Sequence, residues 1–403
     1  MSEKIKIENF CWLTLNVELN EINIVIWPQA SWKSIIAKLL YFFKNTPKIL
    51  YEAAEDDLSI KELEKKITGK FLDYFSEETF SKVFSIAYHI DKLKIKISYK
   101  NWKISLKLDD YILKKYTELK NQVKLEKKWK DFLDDTPTRN IQFKFVEEIC
   151  KETNWFWASQ IFVPAWRSYY ANIHNSIFSF LASNKWIDSF LVEFWDFYQR
   201  MKNFIDRDDI SENSKRVNKL MEKIICWNYK RKKNVDYLLH DDWRLVNLAY
   251  SSSWQQETLP LVISLKAVWV RVSFVSWMAT LYIEEPEAHL FPIAQKYIVE
   301  LMILIKNISK NKISFFITTH SPYVLASINN YIFAGNIENE SNKDKIEEII
   351  WKNLTIKKKS VNAFYLKDWK MRNLIWDDWM IQIELLDSVS DTVLDEFTQL
   401  NWL

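Results

Sequence analysis

A run of eight residues follows an apolar strand-like pattern and has the residue types of a phosphate-binding loop. The run consists of Trp27, Pro28, Gln29, Ala30, Ser31, Trp32, Lys33 and Ser34. With glycine at positions 27 and 32 it would read GxxxxGKS, the P-loop pattern, whose backbone N–H groups surround the phosphates of a nucleotide. Lys33 would then reach the β- and γ-phosphates of ATP, and Ser34 would bind Mg²⁺. Indole side chains at both positions would fill the space that the phosphates need.

Two acids and a histidine follow two later apolar runs, and these residue types suit nucleotide hydrolysis. Glu284 and Glu285 come directly after the run 281–283, an arrangement that we interpret as a Walker B site. In such a site Glu284 would support the Mg²⁺ shell, and Glu285 would polarise the attacking water. His320 follows the run 313–317 and could hydrogen-bond a γ-phosphate.

A short polar segment at 252–257 is a candidate for a second phosphate contact. With glycine in place of Trp254 it reads SSGQQE, and it opens a helix that we expect to begin near Thr258. A small hydroxyl and a glycine at a helix N-terminus form an anion site, which makes Ser253, Trp254 and Gln256 candidate binding residues. The same residues would also suit an ordinary helix N-cap.

Glycine is nearly absent from the chain and tryptophan is unusually common, with 2 and 20 copies in 403 residues. At the average usage of roughly 7%, about 28 glycines would be expected. The pair Asn101–Trp102 separates two alternating strand patterns, where a two-residue hairpin calls for Asn-Gly. Similar Asp-Trp pairs occur at 242–243, 368–369 and 378–379. We therefore hypothesise that UGA codons of the gene encode glycine and have been read as tryptophan. The alternative is a protein that is rich in real tryptophan.

The remaining patterns predict the elements that position these residues. Alternating patterns over 1–26 and 94–109 predict strands, and 110–245 is mostly helical in character. Later strands alternate with helices, which indicates a largely parallel sheet covered on both faces. We expect an α/β fold with a mainly parallel central sheet, an N-terminal antiparallel β portion and an inserted helical lobe. The expected segments are 1–110 with the P-loop, 111–245 as the helical lobe, and 246–403 with the other site residues and a short β and helix tail.

Composition narrows the class of protein. The net charge of +3 does not by itself indicate a nucleic-acid partner. The three cysteines are far apart and odd in number, so neither a disulfide framework nor a metal-binding spacing follows. The chain also lacks an N-terminal signal pattern and any run of about 18 apolar residues. These observations predict a cytoplasmic protein with no membrane partner.

The four segments, in the order loop, 252–257, acids and histidine, resemble those of ABC-class ATPases of the AAA15/OLD-like group. These ATPases are relatives of SMC-type and recombination-repair ATPase heads. The phrases EEPEAHLFP and TTHSPYVLASINN are similar to that group, as are the opening IKIENF, the segment PAWRS and the tail. The resemblance is close over 5–40 and 250–330. It implies an ABC-type P-loop ATPase head that uses ATP and Mg²⁺.

The resemblance also assigns roles to individual positions. It implies that Lys33 and Ser34 are the Walker A residues and that Glu284 and Glu285 are the Walker B pair. It also implies that Ser253 to Gln256 form the signature, which contacts ATP bound on a partner subunit. Residues 288–290 would be the D-loop, and His320 would be the switch. Phe291 departs from the histidine that is common in the group, and Gln142 is a weak candidate for the Q-loop glutamine. The implied assembly is a head-to-tail, ATP-dependent homodimer acting on a nucleic acid or a partner effector protein, as in genome defence or repair.

Two other functions remain open from the sequence. The first is an ATPase-linked nuclease, whose metal-binding carboxylates would come from Asp134, Asp135, Asp206, Asp208 and Asp209. OLD-type proteins carry a Toprim nuclease domain after the ATPase, and the tail here shows no further set of clustered acids, so we expect this chain to represent the ATPase part alone. The second is a non-enzymatic aromatic-rich binding module, which requires that the tryptophans are real.

Overall fold

A computed structural model describes residues 3–26, 33–130, 159–167, 188–205, 211–232, 235–274, 278–367, 370–375 and 380–382. The chain divides into two compact units. The first unit comprises Met1–Asn20, Ser34–Ile161 and Lys367–Met371, and the second comprises Glu21–Lys33, Phe162–Leu366 and Arg372–Leu403. The three-segment division expected from the sequence stays a prediction.

The elements are numbered in chain order. The strands are β1 Glu3–Phe10, β2 Leu13–Leu19, β3 Ile22–Ile26, β4 Phe84–Ile90, β5 Leu93–Lys100, β6 Lys103–Leu108, β7 Ser159–Val163, β8 Asn228–Lys232, β9 Val235–Leu239, β10 Leu245–Asn247, β11 Ala279–Glu284, β12 Ile313–Thr319, β13 Val361–Lys367 and β14 Lys370–Asn373. The helices are α1 Lys33–Glu55, α2 Ile60–Tyr74, α3 Asp110–Lys130, α4 Ser189–Ile205, α5 Glu212–Ile225, α6 Ser253–Phe274, α7 Pro292–Ile308, α8 Pro322–Ile337 and α9 Lys343–Ile349.

The first unit is built on a five-stranded antiparallel sheet in the order β2-β1-β4-β5-β6. Its strands alternate between buried and exposed residues, so one face forms a core and the other faces outward. The helix α2 begins at a capping box, in which Ser59 and Glu62 satisfy each other's backbone N–H groups. Phe71 of this helix packs on Phe10 of β1, with ring centroids 5.9 Å apart.

The second unit contains the mainly parallel sheet that the sequence predicts. Six strands lie in the order β14-β13-β3-β12-β11-β7, and β13, β3, β12 and β11 are parallel to their neighbours in this group. The strands β3, β11 and β12 are buried over their full lengths, as expected for strands with both faces covered. The prediction of an α/β fold is therefore confirmed.

Helices and a small β-meander complete the second unit. The helix α4 packs on α6, and α5 packs on α7. The strands β8, β9 and β10 form a three-stranded antiparallel sheet within the segment 111–245, which had been expected to be mostly helical. They pair locally through short connections, and NYKRKKNVDYLL offers too little apolar alternation to predict them. No helix among the described residues is both long and apolar enough to cross a membrane.

Several printed tryptophans occupy backbone conformations that disfavour any bulky side chain. Trp12, Trp102 and Trp243 have φ of 63°, 61° and 66°, and all three side chains are exposed. Lys100 pairs with Lys103, so Asn101 and Trp102 form the two-residue turn that was predicted. Two successive positive φ values are the signature of a type I′ turn, which prefers glycine at its second position. The Asp-Trp pairs at 368–369 and 378–379 lie outside the described residues.

Candidate functional site

The strand and helix that flank the predicted phosphate loop are both present. The strand β3 ends at the buried Ile26, and α1 begins at Lys33, its first residue. The predicted loop residues between them, Trp27, Pro28, Gln29, Ala30, Ser31 and Trp32, lie outside the described residues. The first turn of α1 contains no acidic residue, so its N-terminal dipole is not offset by a carboxylate. Ser34 is partly buried in this turn.

Strand register brings the ends of three parallel strands to one level of the sheet. Thr319 pairs with Ile26, and Thr318 pairs with both Val25 and Glu284. The chain therefore leaves β3, β11 and β12 within about one residue of the same level. Ligands of open α/β sheets bind at the carboxyl ends of their parallel strands. The structure thus places Glu285 and His320 at the edge from which the predicted phosphate loop departs.

Glu285 and His320 lie close to each other at this edge of the sheet. The Nε2 atom of His320 lies 3.4 Å from Oε1 of Glu285. Glu285 has a φ of 44°, and its backbone N–H donates to the carbonyl oxygen of Thr318. Glu287 fixes the backbone of His320, because its Oε1 accepts a hydrogen bond from the His320 N–H at 2.7 Å. The side chains of Glu285 and His320 are partly exposed, so a ligand can approach them.

Glu284 is the carboxylate that fits a role in holding Mg²⁺. It ends the buried strand β11, is only 8% exposed, and its Oε2 accepts from the backbone N–H of Ala165 at 3.1 Å. Among the described residues, no group of three or more His, Cys, Asp or Glu side chains could hold a metal ion. Mg²⁺ bound with a nucleotide needs few protein ligands, because phosphate oxygens and water supply the rest. The residues present therefore fit Mg·ATP better than a metal held by protein alone.

The helix with the predicted signature begins earlier than expected. The helix α6 starts at Ser253 rather than near Thr258, so the polar residues form its first turn. Ser253 is exposed, and no acidic residue lies in this first turn. Gln256 is buried, and its Nε2 donates to the carbonyl oxygens of Ala249 and Ser251. The Gln256 amide thus holds the preceding loop, whereas Ser253 lies at the free N-terminus of the helix.

Arg167 is a functional residue that the sequence reasoning did not assign. Its side chain is completely buried and donates to the carbonyl oxygens of Pro164, Glu284 and Glu285 at 2.8–3.1 Å. It also donates through Nε to the carbonyl oxygen of Glu257, in the first turns of α6. The signal was available, because PAWRS follows the strand SQIFV and an arginine there needs buried partners.

Charge around Arg167 is compensated by the site itself. The carboxylate of Glu257 lies 3.3 Å from Arg167 Nε and accepts from its backbone N–H at 3.0 Å. Burial lowers the pKa of the Arg167 guanidinium, and the nearby carboxylates, led by Glu257 and Glu284, act in the opposite direction. An arginine keeps its proton in proteins, so the group remains a cation. Arg167 therefore joins the first turns of α6 to the end of β11.

Some predicted residues cannot be placed. Gln142 lies outside the described residues. The same holds for the five carboxylates that the nuclease alternative requires, Asp134, Asp135, Asp206, Asp208 and Asp209.

Comparison with known proteins identifies the class of domain. Residues 157–325 match the family model AAA_15, described as an AAA ATPase domain. A search of curated proteins found no match. The matched segment contains Arg167, the first turn of α6, Glu284, Glu285 and His320. Over residues 157–325 the chain is thus similar to AAA ATPase domains of the AAA_15 family, in agreement with the resemblance predicted from the sequence.

Several solved structures resemble the chain at low identity. The SMC head domain from Thermotoga maritima shares 8% identity at a TM-score of 0.37, covering 92% of this chain and 97% of that one. The Smc head domain with a coiled coil and joint derived from Pyrococcus yayanosii shares 9% at 0.38, covering 97% and 99%. The recombination mediator protein RecF-ATPrS shares 11% at 0.36, covering 93% and 98%. Likeness at this level carries no conclusion about function.

Proposed function

We propose that the chain is an ABC-type ATPase that binds Mg·ATP on residues 27–34 and hydrolyses it within an ATP-dependent, head-to-tail homodimer. The main support is the common level at which β3, β11 and β12 end, with Glu285 3.4 Å from His320 at that edge. This arrangement puts a base and a phosphate sensor beside the strand that leads into the predicted loop. The AAA ATPase family match over 157–325 agrees with it.

The residues of the edge have distinct roles in the proposed reaction. Mg²⁺, when bound with ATP, neutralises charge that develops on the β- and γ-phosphate oxygens. The Glu285 carboxylate accepts a hydrogen bond from the attacking water and orients it toward phosphorus. His320 donates to a γ-phosphate oxygen and loses that partner after hydrolysis. Glu284 would hold the metal shell, and from the start of α1 Lys33 would bind the phosphates and Ser34 would bind the metal.

The exposed start of α6 supports the dimeric part of the proposal. Ser253 lies at a helix N-terminus without a nearby acid in its first turn, which favours an anion. We assign Ser253 and position 254 to the γ-phosphate of ATP bound on the second copy. Gln256 shapes this contact from behind, through its bonds to Ala249 and Ser251. Hydrolysis then requires two chains, and ATP binding promotes their association.

The variant Glu285→Gln tests this assembly. Glutamine keeps the size of the side chain but cannot accept the proton of the attacking water, so bound ATP should persist and hold the dimer. We expect light scattering to give the mass of a dimer for Glu285→Gln with Mg·ATP and that of a monomer without nucleotide. Adding Ser253→Arg should return the protein to a monomer that still binds ATP. A Glu285→Gln protein that stays monomeric at saturating Mg·ATP would contradict the proposal.

The cycle of closure and opening is proposed to drive a transaction on a partner effector protein or a nucleic acid, in genome defence or repair. The trapped Glu285→Gln dimer is the appropriate bait in native cells, because it holds the state in which a partner engages. Partners that are retained with Mg·ATP and released without it would support this part. Partners that are retained equally with and without Mg·ATP would contradict it.

A further inference from the structure

The outward face of the antiparallel sheet in the first unit carries an array of lysines. Core residues alternate with outward residues along each strand, so the outward residues share one face. The register aligns Lys6, Ala87, Lys96 and Lys107 in one row across four strands. The lysines on this face are Lys4, Lys6, Lys94, Lys96, Lys100, Lys103 and Lys107.

Charge on this face is balanced at one side only. Near β1, Lys4 pairs with Glu18, and Lys6 lies 2.6 Å from Glu8. The strands β5 and β6 contain no acidic residue. Within the described ranges, none of their five lysines comes within salt-bridge distance of a carboxylate. This half of the sheet therefore has a local positive field that the net charge of +3 conceals.

The neighbouring histidine responds to this field. His89 on β4 pairs with Lys94 in the sheet register. Burial lowers the pKa of His89, Lys94 and Lys4 lower it further, and Asp109 opposes them. The positive charge of the lysines therefore contributes to the lowered pKa of a histidine on the same face.

The lysines on β5 and β6 stand directly opposite one another, which costs stability. Lys96 pairs with Lys107, and Lys100 pairs with Lys103. Like charges directly opposite in an antiparallel pair are destabilising. Lysines on an edge strand often guard against strand pairing. Protection of an edge strand explains the lysines of β6. It does not explain those of β5, because β5 is paired on both sides, by β4 and β6.

We infer that the β5–β6 half of this face binds the phosphate backbone of double-stranded DNA without reading its sequence. From Lys94 to Lys100 the array runs about 20 Å, at roughly 3.4 Å per residue, which matches several phosphates of a duplex. Outward residues beside the lysines include the small Ser85, Ala87 and Ser98. Two aromatic side chains also lie here, His89 opposite Lys94 and the exposed Trp102 in the turn after Lys100, at opposite ends of β5. They therefore do not form a row on which successive bases of a single strand could stack.

The polar groups of the face favour DNA over RNA. The Ser85 hydroxyl donates to Glu8 at 2.6 Å, and the Ser105 hydroxyl donates to the carbonyl oxygen of Ser98 at 3.3 Å. These hydroxyls are engaged within the sheet, whereas recognition of double-stranded RNA depends on contacts to its 2′-hydroxyls. The inference does not depend on ATP hydrolysis, and it supplies a surface for the nucleic-acid branch of the proposed function.

The test exploits the opposed lysines. Lys96→Glu combined with Lys103→Glu turns both like-charge pairs into opposite-charge pairs, so the sheet should become no less stable. Binding to a short duplex DNA, measured without nucleotide, should fall at least about tenfold at low salt. In the unaltered protein the plot of log K against log salt should have a slope of about −4.5, if each of the five lysines contributes about −0.9. The slope should be clearly shallower in the double variant.

Matched controls separate this surface from general charge. Lys61→Glu with Lys65→Glu makes the same change of charge at two exposed lysines of α2 in the same unit and should leave affinity and slope unchanged. Equal DNA binding by the Lys96→Glu, Lys103→Glu variant, equal loss in the α2 variant, or tighter binding of duplex RNA than of DNA would overturn the inference. Phosphate release from ATP is measured on the same samples. Hydrolysis without DNA binding defeats this inference alone, and DNA binding without ATP binding defeats the proposed function alone.

Discussion

Glu285 is held in a conformation that a glutamate does not choose freely. A non-glycine residue at a positive φ such as 44° costs of the order of 1–3 kcal/mol unless its surroundings enforce it. Three hydrogen bonds enforce it here. The Glu285 N–H donates to the carbonyl oxygen of Thr318, and the Glu285 carbonyl oxygen accepts from Arg167 and from the Ala288 N–H. The result is a carboxylate 3.4 Å from His320. Strain of this kind is typical of positions that function requires.

The tryptophans at positive φ provide a second test at single residues. If the chain is made with tryptophan, Trp102→Gly should raise the free energy of unfolding by about 1 kcal/mol or more, because glycine adopts φ of 61° without steric cost. Trp166→Gly is the control, since Trp166 is also exposed but is not at a positive φ. It should give no gain in chemical denaturation. Equal effects of both changes would contradict the argument from backbone conformation.

The recoding hypothesis itself is decided by mass. Protein isolated from its native cells should have an intact mass well below the 48.6 kDa of the printed sequence, because each glycine is lighter than the tryptophan it replaces. A mass equal to that of the printed sequence would exclude recoding. The aromatic-rich binding module would then return as the leading alternative.

Arg167 connects α6, the proposed signature helix, to the end of β11, the proposed Walker B strand. Its guanidinium donates to carbonyl oxygens at both places, and Glu257 supplies the compensating charge. A buried arginine with planar, fixed donors can set the relative position of two backbones. We therefore regard it as a positioning residue for Glu285 and not as a catalytic one.

Replacement of Arg167 should affect turnover more than binding. Arg167→Lys keeps the charge but loses the planar set of N–H donors of the guanidinium. Glu285 should then shift, and kcat should fall about 100-fold. The KM for ATP should change little, because residues 27–34 are untouched. Arg167→Ala should cost about 3–5 kcal/mol of stability, because it removes the buried guanidinium that compensates the charge of the Glu257 carboxylate.

A control comes from the buried pair of Lys202 and Asp236, 2.8 Å apart in the same unit. Lys202→Met should lower stability without changing the kcat of the folded protein. If Arg167→Lys left kcat unchanged, or changed only KM, the positioning role would be wrong.

The sequence predicted those elements whose signal is local. The apolar run INIVI gave β3, and the alternation around Asn101 and Trp102 gave the hairpin of β5 and β6. The start of α6 at Ser253 was missed, because serine is common at N-caps and position 254 was read as glycine, which has a weak helix preference. The pairing of Thr319 with Ile26 joins residues far apart in the chain, and no local pattern specifies it.

The candidate site was predictable in its parts but not in its connections. Glu284, Glu285 and His320 were predicted because acids and a histidine follow apolar strand patterns, in the order that is typical of P-loop ATPases. Arg167 was not assigned, because its partners are backbone carbonyl oxygens, which every sequence contains. Only the folded chain shows which of these carbonyl oxygens converge on one side chain.

The two units carry different proposed activities. The second unit contains Glu284, Glu285, His320 and Arg167, whereas the lysine face belongs to the first. ATP turnover and DNA binding can therefore be altered separately by substitution, as each test above requires. A protein that responds to DNA through ATP turnover would need both.

The central claim is that residues 27–34 bind Mg·ATP. Isothermal titration calorimetry measures this directly on protein produced with the codon assignment of its native cells. Lys33→Ala removes the cation that we assign to the β- and γ-phosphates, whereas Lys38→Ala removes a lysine farther along the same helix. We expect saturable binding of Mg·ATP in the unaltered protein and in Lys38→Ala, and none in Lys33→Ala. Absence of binding heat in the unaltered protein, or equal binding in Lys33→Ala, would contradict the account.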